Sequence, residues 1–494
     1  MDINQTNSIK PASGRLEDQG PATNSFKPSL GLLDATMIVS GSMIGSGIFI
    51  VTAEIARSVG GAGWITLMWV LAGAVTLIAA LSYGELSGMY PKAGGQYVYL
   101  REAYNPFIAF LFGWTQFGVI QTGTIAAVAV AFAKFTAYLI PGFSEKNILF
   151  EIGSSFSISA AQIVAIISII LLTMINTRGV HRGKIIQTVF TLAKLLSLFG
   201  LIIFGFLLGA KQEIWSANWQ NAWVANSISL NNGEVITAAL SGMALLGAIA
   251  VSMKGSLFSS DAWNNVTFIA GEIKNPAKNI GRSLFLGTLI VTIIYVSCNL
   301  MYLAVLPIHD IAFAANDRVG VAAAANIFGP AGAIIIAVMI MISTFGCNNG
   351  LILSGARIYY TMAQDGLFFK GAGQLNKHHV PEKGLWIQCA WASLLCLTGR
   401  YNDLLALVIF GVLIFYVLTI AGIFILRKKR PDIERPYKAF GYPLMPILYI
   451  VVALGLALLL LIFERDYTVP GLGIILLGVP LYYLAMSSAR KAKK

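Results

Sequence analysis

The sequence predicts an all-α polytopic membrane protein with twelve transmembrane helices, arranged as an inverted five-plus-five repeat with helices 1 and 6 broken. Three observations carry that prediction. Of 494 residues, 57% are hydrophobic and only 11% are charged, whereas soluble domains carry about 25% charged residues. Apolar stretches of the roughly 20 residues needed to cross hydrocarbon recur near 32–57, 62–89, 105–140, 158–176, 184–209, 235–271, 284–307, 321–362, 384–399, 402–426, 441–463 and 468–488. The first and sixth of these are interrupted by small and polar residues.

Ahead of the first stretch, Met1–Pro28 is polar and rich in Asn, Ser and Pro. It reads as a disordered cytoplasmic tail (1–29), not a cleavable signal peptide. The third and eighth stretches are long enough to tilt or to project beyond the bilayer. The segment 211–234 places Trp215, Trp219 and Trp223 four residues apart, the mark of an interfacial turn or short helix.

The net charge of +12 does not mark a nucleic-acid binder, because of where it sits. With the N-terminus inside, 25 of the 34 Lys and Arg residues fall in the tail, the inner loops and the C-terminal end. That bias sets topology, with both termini cytoplasmic in the cytoplasmic (inner) membrane. Cys298, Cys347, Cys389 and Cys396 all lie in apolar stretches and none in an outer loop, so no disulfide-linked partner subunit is expected. The four histidines lie in loops, and no metal-spaced or nucleophile–base cluster falls within the stretches. Neither an enzyme nor a cofactor or metal site is expected.

Gly45-Ser46-Gly47 interrupts the first stretch. Glycine costs about 1 kcal/mol in a helix interior, and hydrocarbon supplies no water for freed amides. Such a break is sensible where it lines a cavity, with the amides of the following half-helix turned on an anion. Ile44, Gly45, Ser46, Gly47 and Ile48 are therefore candidates for binding a carboxylate. The competing reading is a small-residue helix contact through Gly41 and Gly45. It explains a four-residue spacing but not three consecutive small residues.

The sixth stretch is broken by Gly255-Ser-Leu-Phe-Ser-Ser-Asp-Ala-Trp-Asn-Asn265. Two broken helices five apart match an inverted repeat whose breaks meet at mid-membrane. The expected units are 30–210 and 235–427, with helices 11–12 and the basic tail (428–494) accessory. An intramembrane carboxylate is functional by default, so Asp261 either holds the break open or ties the sixth helix to its neighbours, or it caps a half-helix starting near Ala262. Lys194 lies about 15 Å into the fifth helix by the 1.5 Å rise, too deep for easy snorkelling. Glu85 and Glu272 lie toward inner helix ends, where each is either a solvated helix-end charge or pairs with inner-loop bases such as Lys92 or Arg182 to make an inner gate. In the eighth stretch Ser343, Thr344, Cys347, Asn348 and Asn349 are polar candidates to line the site.

GSMIGSGIF in the first stretch resembles the signature of the amino acid/polyamine/organocation superfamily. LSYGELSGMYPKAGGQYVYLREAYNPFIAFLFGW, TLAKLLSL, FSSDAWNNVTFIAGEIKNPAKNIGRSL and FGCNNGLILSGARIYYTMAQDG are similar to segments of its L-type amino acid transporter family. The resemblance covers about 30–430 and implies the LeuT-type fold and amino acid transport. By resemblance, Phe258 falls on the gating aromatic, and the carbonyls of Phe258, Ser259 and Ser260 face the substrate ammonium, with Asp261 and Trp263 beside them. Lys194 falls on the lysine whose ammonium replaces sodium in sodium-coupled relatives. Ser260 and Ala262 depart from the family's Tyr and Gly, which implies more room near the substrate side chain. The expected function is sodium-independent exchange of neutral α-amino acids by alternating access. The alternatives are proton-coupled symport or a cationic amino acid carrier.

Overall fold

The computed structural model describes Phe26 and residues 28–152, 156–231, 234–398 and 401–491, without the side chains at 152, 156, 180–187, 398, 402, 403 and 487–491. Most of the N-terminal tail, and the side chain of Arg182, therefore lie outside the described residues. Among the described residues, eleven helices are long and apolar enough to cross a membrane. The ninth stretch is also helical, Glu382–Thr398, but at 17 residues it is shorter than the usual span. Exposed apolar side chains such as Leu196, Leu207 and Leu458, each at least 60% exposed, cover the outside. In water that surface would aggregate; against lipid it is solvated.

Both interruptions are present. The first helix runs Leu32–Met43 and resumes as Gly47–Val59. The sixth runs Gly242–Ser259 and is followed by one short turn, Asn265–Phe268. Two expectations about the sixth stretch are corrected. Helix does not begin at 235, because Glu234–Ala239 pairs antiparallel with Asn226–Asn231. Alternating Ile and Ser around an Asn-Gly pair was the available hairpin signal. Nor does a full half-helix start near Ala262. Ala262 has φ +64°, which turns the chain, and the helix cap is Asn264, not Asp261. A second hairpin, Ile148–Ile152 with Phe156–Ser159, follows the third helix.

The left-handed conformation at Ala262 costs an L-residue about 1–2 kcal/mol. Ala262→Gly should therefore leave the fold intact and raise stability by up to about 1 kcal/mol, the strain relief minus the entropy of a freer unfolded chain. A higher midpoint in thermal unfolding of the detergent-solubilised protein checks this.

The long eighth helix, Val319–Gln364, is kinked at Gly329 (φ +73°), just before Pro330. The third starts with Pro106 behind an Asn105 cap, whose Oδ1 accepts from the Ile108 amide at 3.0 Å. It carries one π turn, Gln116–Ile120, a helix defect common at functional sites. The first, second, sixth and seventh helices pack on one another, and the third, fourth, eighth, ninth and tenth pack around them. The two breaks face each other within the first of these sets. Below, the proximal face is the one at which the chain begins its first helix, and the distal face is the opposite one.

Candidate functional site

The two breaks touch. A β-carbon on Gly47 would lie 2.0 Å from Ser259 Oγ and 3.0 Å from Ser259 Cα, so only glycine lets the half-helices meet here. Gly45 packs on the eighth helix less tightly: a β-carbon there would lie 3.1 Å from Cys347 Sγ. Small-residue packing and helix interruption are thus both present in this triplet. Tyr295 of the seventh helix spans both breaks, its hydroxyl 3.0 Å from the Met43 carbonyl and 3.1 Å from that of Ser259.

The opened carbonyls of the first helix have partners. Lys194 Nζ, fully buried, donates to Gly41 O at 2.7 Å and Ile44 O at 2.8 Å. Ser343 Oγ donates to Ile44 O at 3.3 Å and Cys347 Sγ to Ser42 O at 2.9 Å. Of the other eighth-helix candidates, Thr344 bonds back to Ile340, and Asn349 accepts from Asn176 of the fourth helix. The lysine thus holds open the C-terminal end of one half-helix. The next begins at Gly47 with first-turn amides that have no intrahelical acceptor.

Phe258 and Tyr401 meet edge to face with ring centroids 6.1 Å apart, and the Tyr401 hydroxyl is 3.0 Å from Ser46 Oγ. Tyr401 also lines a distal cavity of about 760 Å³, together with Glu54, Lys134, Lys254, Asp317 and Glu464. Tyr401 thus reaches both this distal cavity and the Ser46 hydroxyl of the first break. Of the sixth-helix carbonyls, Phe258 O accepts the Asp261 amide at 3.2 Å and Ser259 O the Tyr295 hydroxyl. Each keeps a second lone pair.

The rest of the sixth-helix break points elsewhere. Asp261 Oδ1 accepts from the Tyr416 hydroxyl at 2.6 Å. Trp263 packs among Tyr83 and Tyr416, at 4.8 and 5.2 Å, away from Phe258. The space beside Ser260 is a cavity of about 20 Å³ bounded by Thr76, Trp263, Tyr416 and Tyr449. No first-break residue lines it, so the room left by the missing phenol opens behind the break instead of onto the meeting point of the two helices.

A polar chamber of about 10 Å³, the size of one water, is lined by Gln116, Gln121, Thr124, Asp261 and Asn265. Thr124 and Leu351 on its wall lie four residues proximal of Val128 and Cys347, the residues nearest Gly45. The chamber is therefore about one helical turn, or 5.4 Å, below the break. Gln121 Nε2 is held by Leu351 O at 2.7 Å, while Gln116 Oε1 and Asn265 Nδ2 are buried without a partner.

Two buried acids on the proximal side are held in ion pairs. Glu272 Oε1 accepts from Arg357 Nε at 2.9 Å, both side chains being buried. Glu85, also buried, takes Arg427 at 2.7 and 3.0 Å, Arg435 at 3.4 Å and the Ala439 amide at 2.7 Å. Of the two readings open for these acids, pairing is the one found, with Arg357, Arg427 and Arg435 and not Lys92. Sequence reasoning also missed Tyr295, Tyr401, Tyr416, Gln116 and Gln121. Only the glutamines, polar in an apolar run, offered a signal.

A family model described as amino acid permease matches residues 30–483. The chain is 33% identical to the Serine/threonine exchanger SteT of Bacillus subtilis (strain 168), over 93% of this chain and 97% of that one. It is 29% identical to the Large neutral amino acids transporter small subunit 2 of Oryctolagus cuniculus, covering 95% and 82%. To the b(0,+)-type amino acid transporter 1 of Mus musculus it is 28% identical, covering 90% and 84%. With paired helix breaks, a buried lysine across one of them and a family match over nearly the whole length, the chain belongs to the amino acid permease family.

Proposed function

We propose that this protein is a sodium-independent exchanger of small neutral α-amino acids, working by alternating access around the Gly45–Gly47 and Phe258–Ala262 breaks. The observation that carries the reading is Lys194. Its ammonium holds the carbonyls of Gly41 and Ile44, a cation task that otherwise falls to a bound metal ion. The substrate carboxylate meets the first-turn amides at Gly45–Ile48, and its ammonium meets the Phe258–Ser260 carbonyls. Its side chain points toward the chamber of Gln116, Thr124 and Asn265, whose unpartnered groups favour a hydroxyl or amide over a bulky apolar group. SteT, named as a serine/threonine exchanger, supports that choice. Asp261 in the chamber wall favours a cationic side chain as the second reading.

In this scheme the proximal face is cytoplasmic and both termini are inside. Glu85–Arg427 and Glu272–Arg357 form the inner gate, while Phe258 with Tyr401 forms the outer one. Glu382–Thr398 completes twelve spans. The first ten make two inverted units, 30–210 and 235–427, and the last two are accessory.

Proteoliposomes loaded with L-threonine should take up labelled L-serine far faster than empty ones, equally in sodium and choline buffers. Accumulation driven by a proton gradient into empty vesicles would replace exchange with symport. Strong competition by L-lysine but not L-serine would favour the cationic reading.

A further inference from the structure

We propose that Phe26, just before the first helix, is a positioning residue of the proximal gate, seated across Glu272–Arg357 and required to leave before that face opens. Its segment is stitched to the end of the sixth-helix region. The amides of Ser29 and Leu30 donate to Glu272 O at 2.9 and 3.0 Å, and the Lys274 amide returns a bond to Leu30 O at 2.8 Å. The Phe26 ring reaches the other way, to the eighth helix. It meets Tyr360 edge to face at 5.0 Å, and the Arg357 guanidinium carbon is 5.9 Å from its centroid.

Arg357 explains why a ring belongs there. Its side chain is fully buried. Nε serves Glu272 and Nη1 the Leu353 carbonyl, while Nη2 has no hydrogen-bond partner. An aromatic face within about 6 Å is the remaining favourable neighbour for such a cation. Gly271 lies beside the ring, where even a β-carbon would be in ordinary contact, 3.4 Å from Phe26 Cδ2. The backbone bonds tie the segment to one set of helices and the ring contacts tie it to the other. Separating Glu272 from Arg357 must therefore pull Phe26 off Tyr360 and Arg357 or tear Ser29 and Leu30 from Glu272.

The inference rests on the alternating-access reading. Losing the ring removes an interaction present only when the proximal face is closed, so the population shifts toward the proximally open state. The loss of one aromatic contact corresponds to about a three- to tenfold shift.

Cys347, against Gly45 at the centre of the site, is a native reporter of which face is open. With Cys298, Cys389 and Cys396 replaced by alanine, its modification by a membrane-impermeant methanethiosulfonate is timed in inside-out vesicles and in intact cells. Phe26→Ala should raise the rate from the proximal face about three- to tenfold and lower it from the distal face. Phe26→Trp should restore the parent rates. An unchanged proximal rate, or a rise from both faces alike, overturns the proposal. L-Serine exchange in the same vesicles keeps two failures apart. Exchange absent from the parent refutes the functional reading, whereas intact exchange with unchanged labelling refutes only the role of Phe26.

Discussion

Lys194→Met is expected to lower exchange at least 100-fold while the protein still folds and inserts. The ammonium makes two short bonds, to Gly41 O and Ile44 O. Hydrogen bonds to a charged group contribute about 1.5–3 kcal/mol each. Methionine fills the volume of the stem but offers no donor, so both carbonyls lose their cation and only Ser343, at 3.3 Å, remains on Ile44. The first helix can then rewind across the break, or the break persists without a defined shape; either way the amides at Gly45–Ile48 lose their placement. About 3 kcal/mol or more of lost positioning corresponds to at least 100-fold. Initial rates of L-serine/L-threonine counterflow, normalised to reconstituted protein, provide the measurement. A rate within twofold of the parent would show that Lys194 only fills space.

Gly47→Ala should be nearly as damaging, for a steric reason. The added carbon would meet the side chain of Ser259 at 2.0 and 2.7 Å and its Cα at 3.0 Å. A hydroxyl can rotate away, but a backbone carbon cannot, so the first and sixth helices must separate. Overpacking of this kind costs about 1–3 kcal/mol. Here the strain falls on the contact that sets the distance between the two halves of the site. The expected result is a 10- to 100-fold loss of exchange together with a lower thermal midpoint. Pairing the change with Ser259→Gly, which removes the two nearest atoms, should restore part of both. If Gly47→Ala transports normally, the two breaks do not need to touch.

These two residues also show what could be read without coordinates. A lysine 15 Å into an apolar helix is too costly to be incidental, and three small residues in a row cannot be good helix in lipid; both stand out by composition alone. The tyrosines did not. Tyr295, Tyr401 and Tyr416 are ordinary members of apolar helices in sequence, and their hydroxyls acquire roles only because Met43, Ser46 and Asp261 face them. The acids of the proximal face were half legible. A glutamate at a helix end is either solvated or paired, and sequence names no partner; Glu85 finds Arg427 from 342 positions away. Of the two roles open to Asp261, the cap is not taken, and sequence could not decide it because it does not show that Ala262 turns the chain, leaving the next helix only four residues.

Composition and hydropathy determined the membrane class, the broken first and sixth helices and the chemistry offered at each break, because each follows from the cost of placing given groups in hydrocarbon. Only the tertiary structure decided that the breaks touch through Gly47, that Lys194 bonds to Gly41 and Ile44, and which arginines hold the proximal acids. Those are distances between segments far apart in the chain. Local residue chemistry states what each group needs, and packing selects which distant group supplies it.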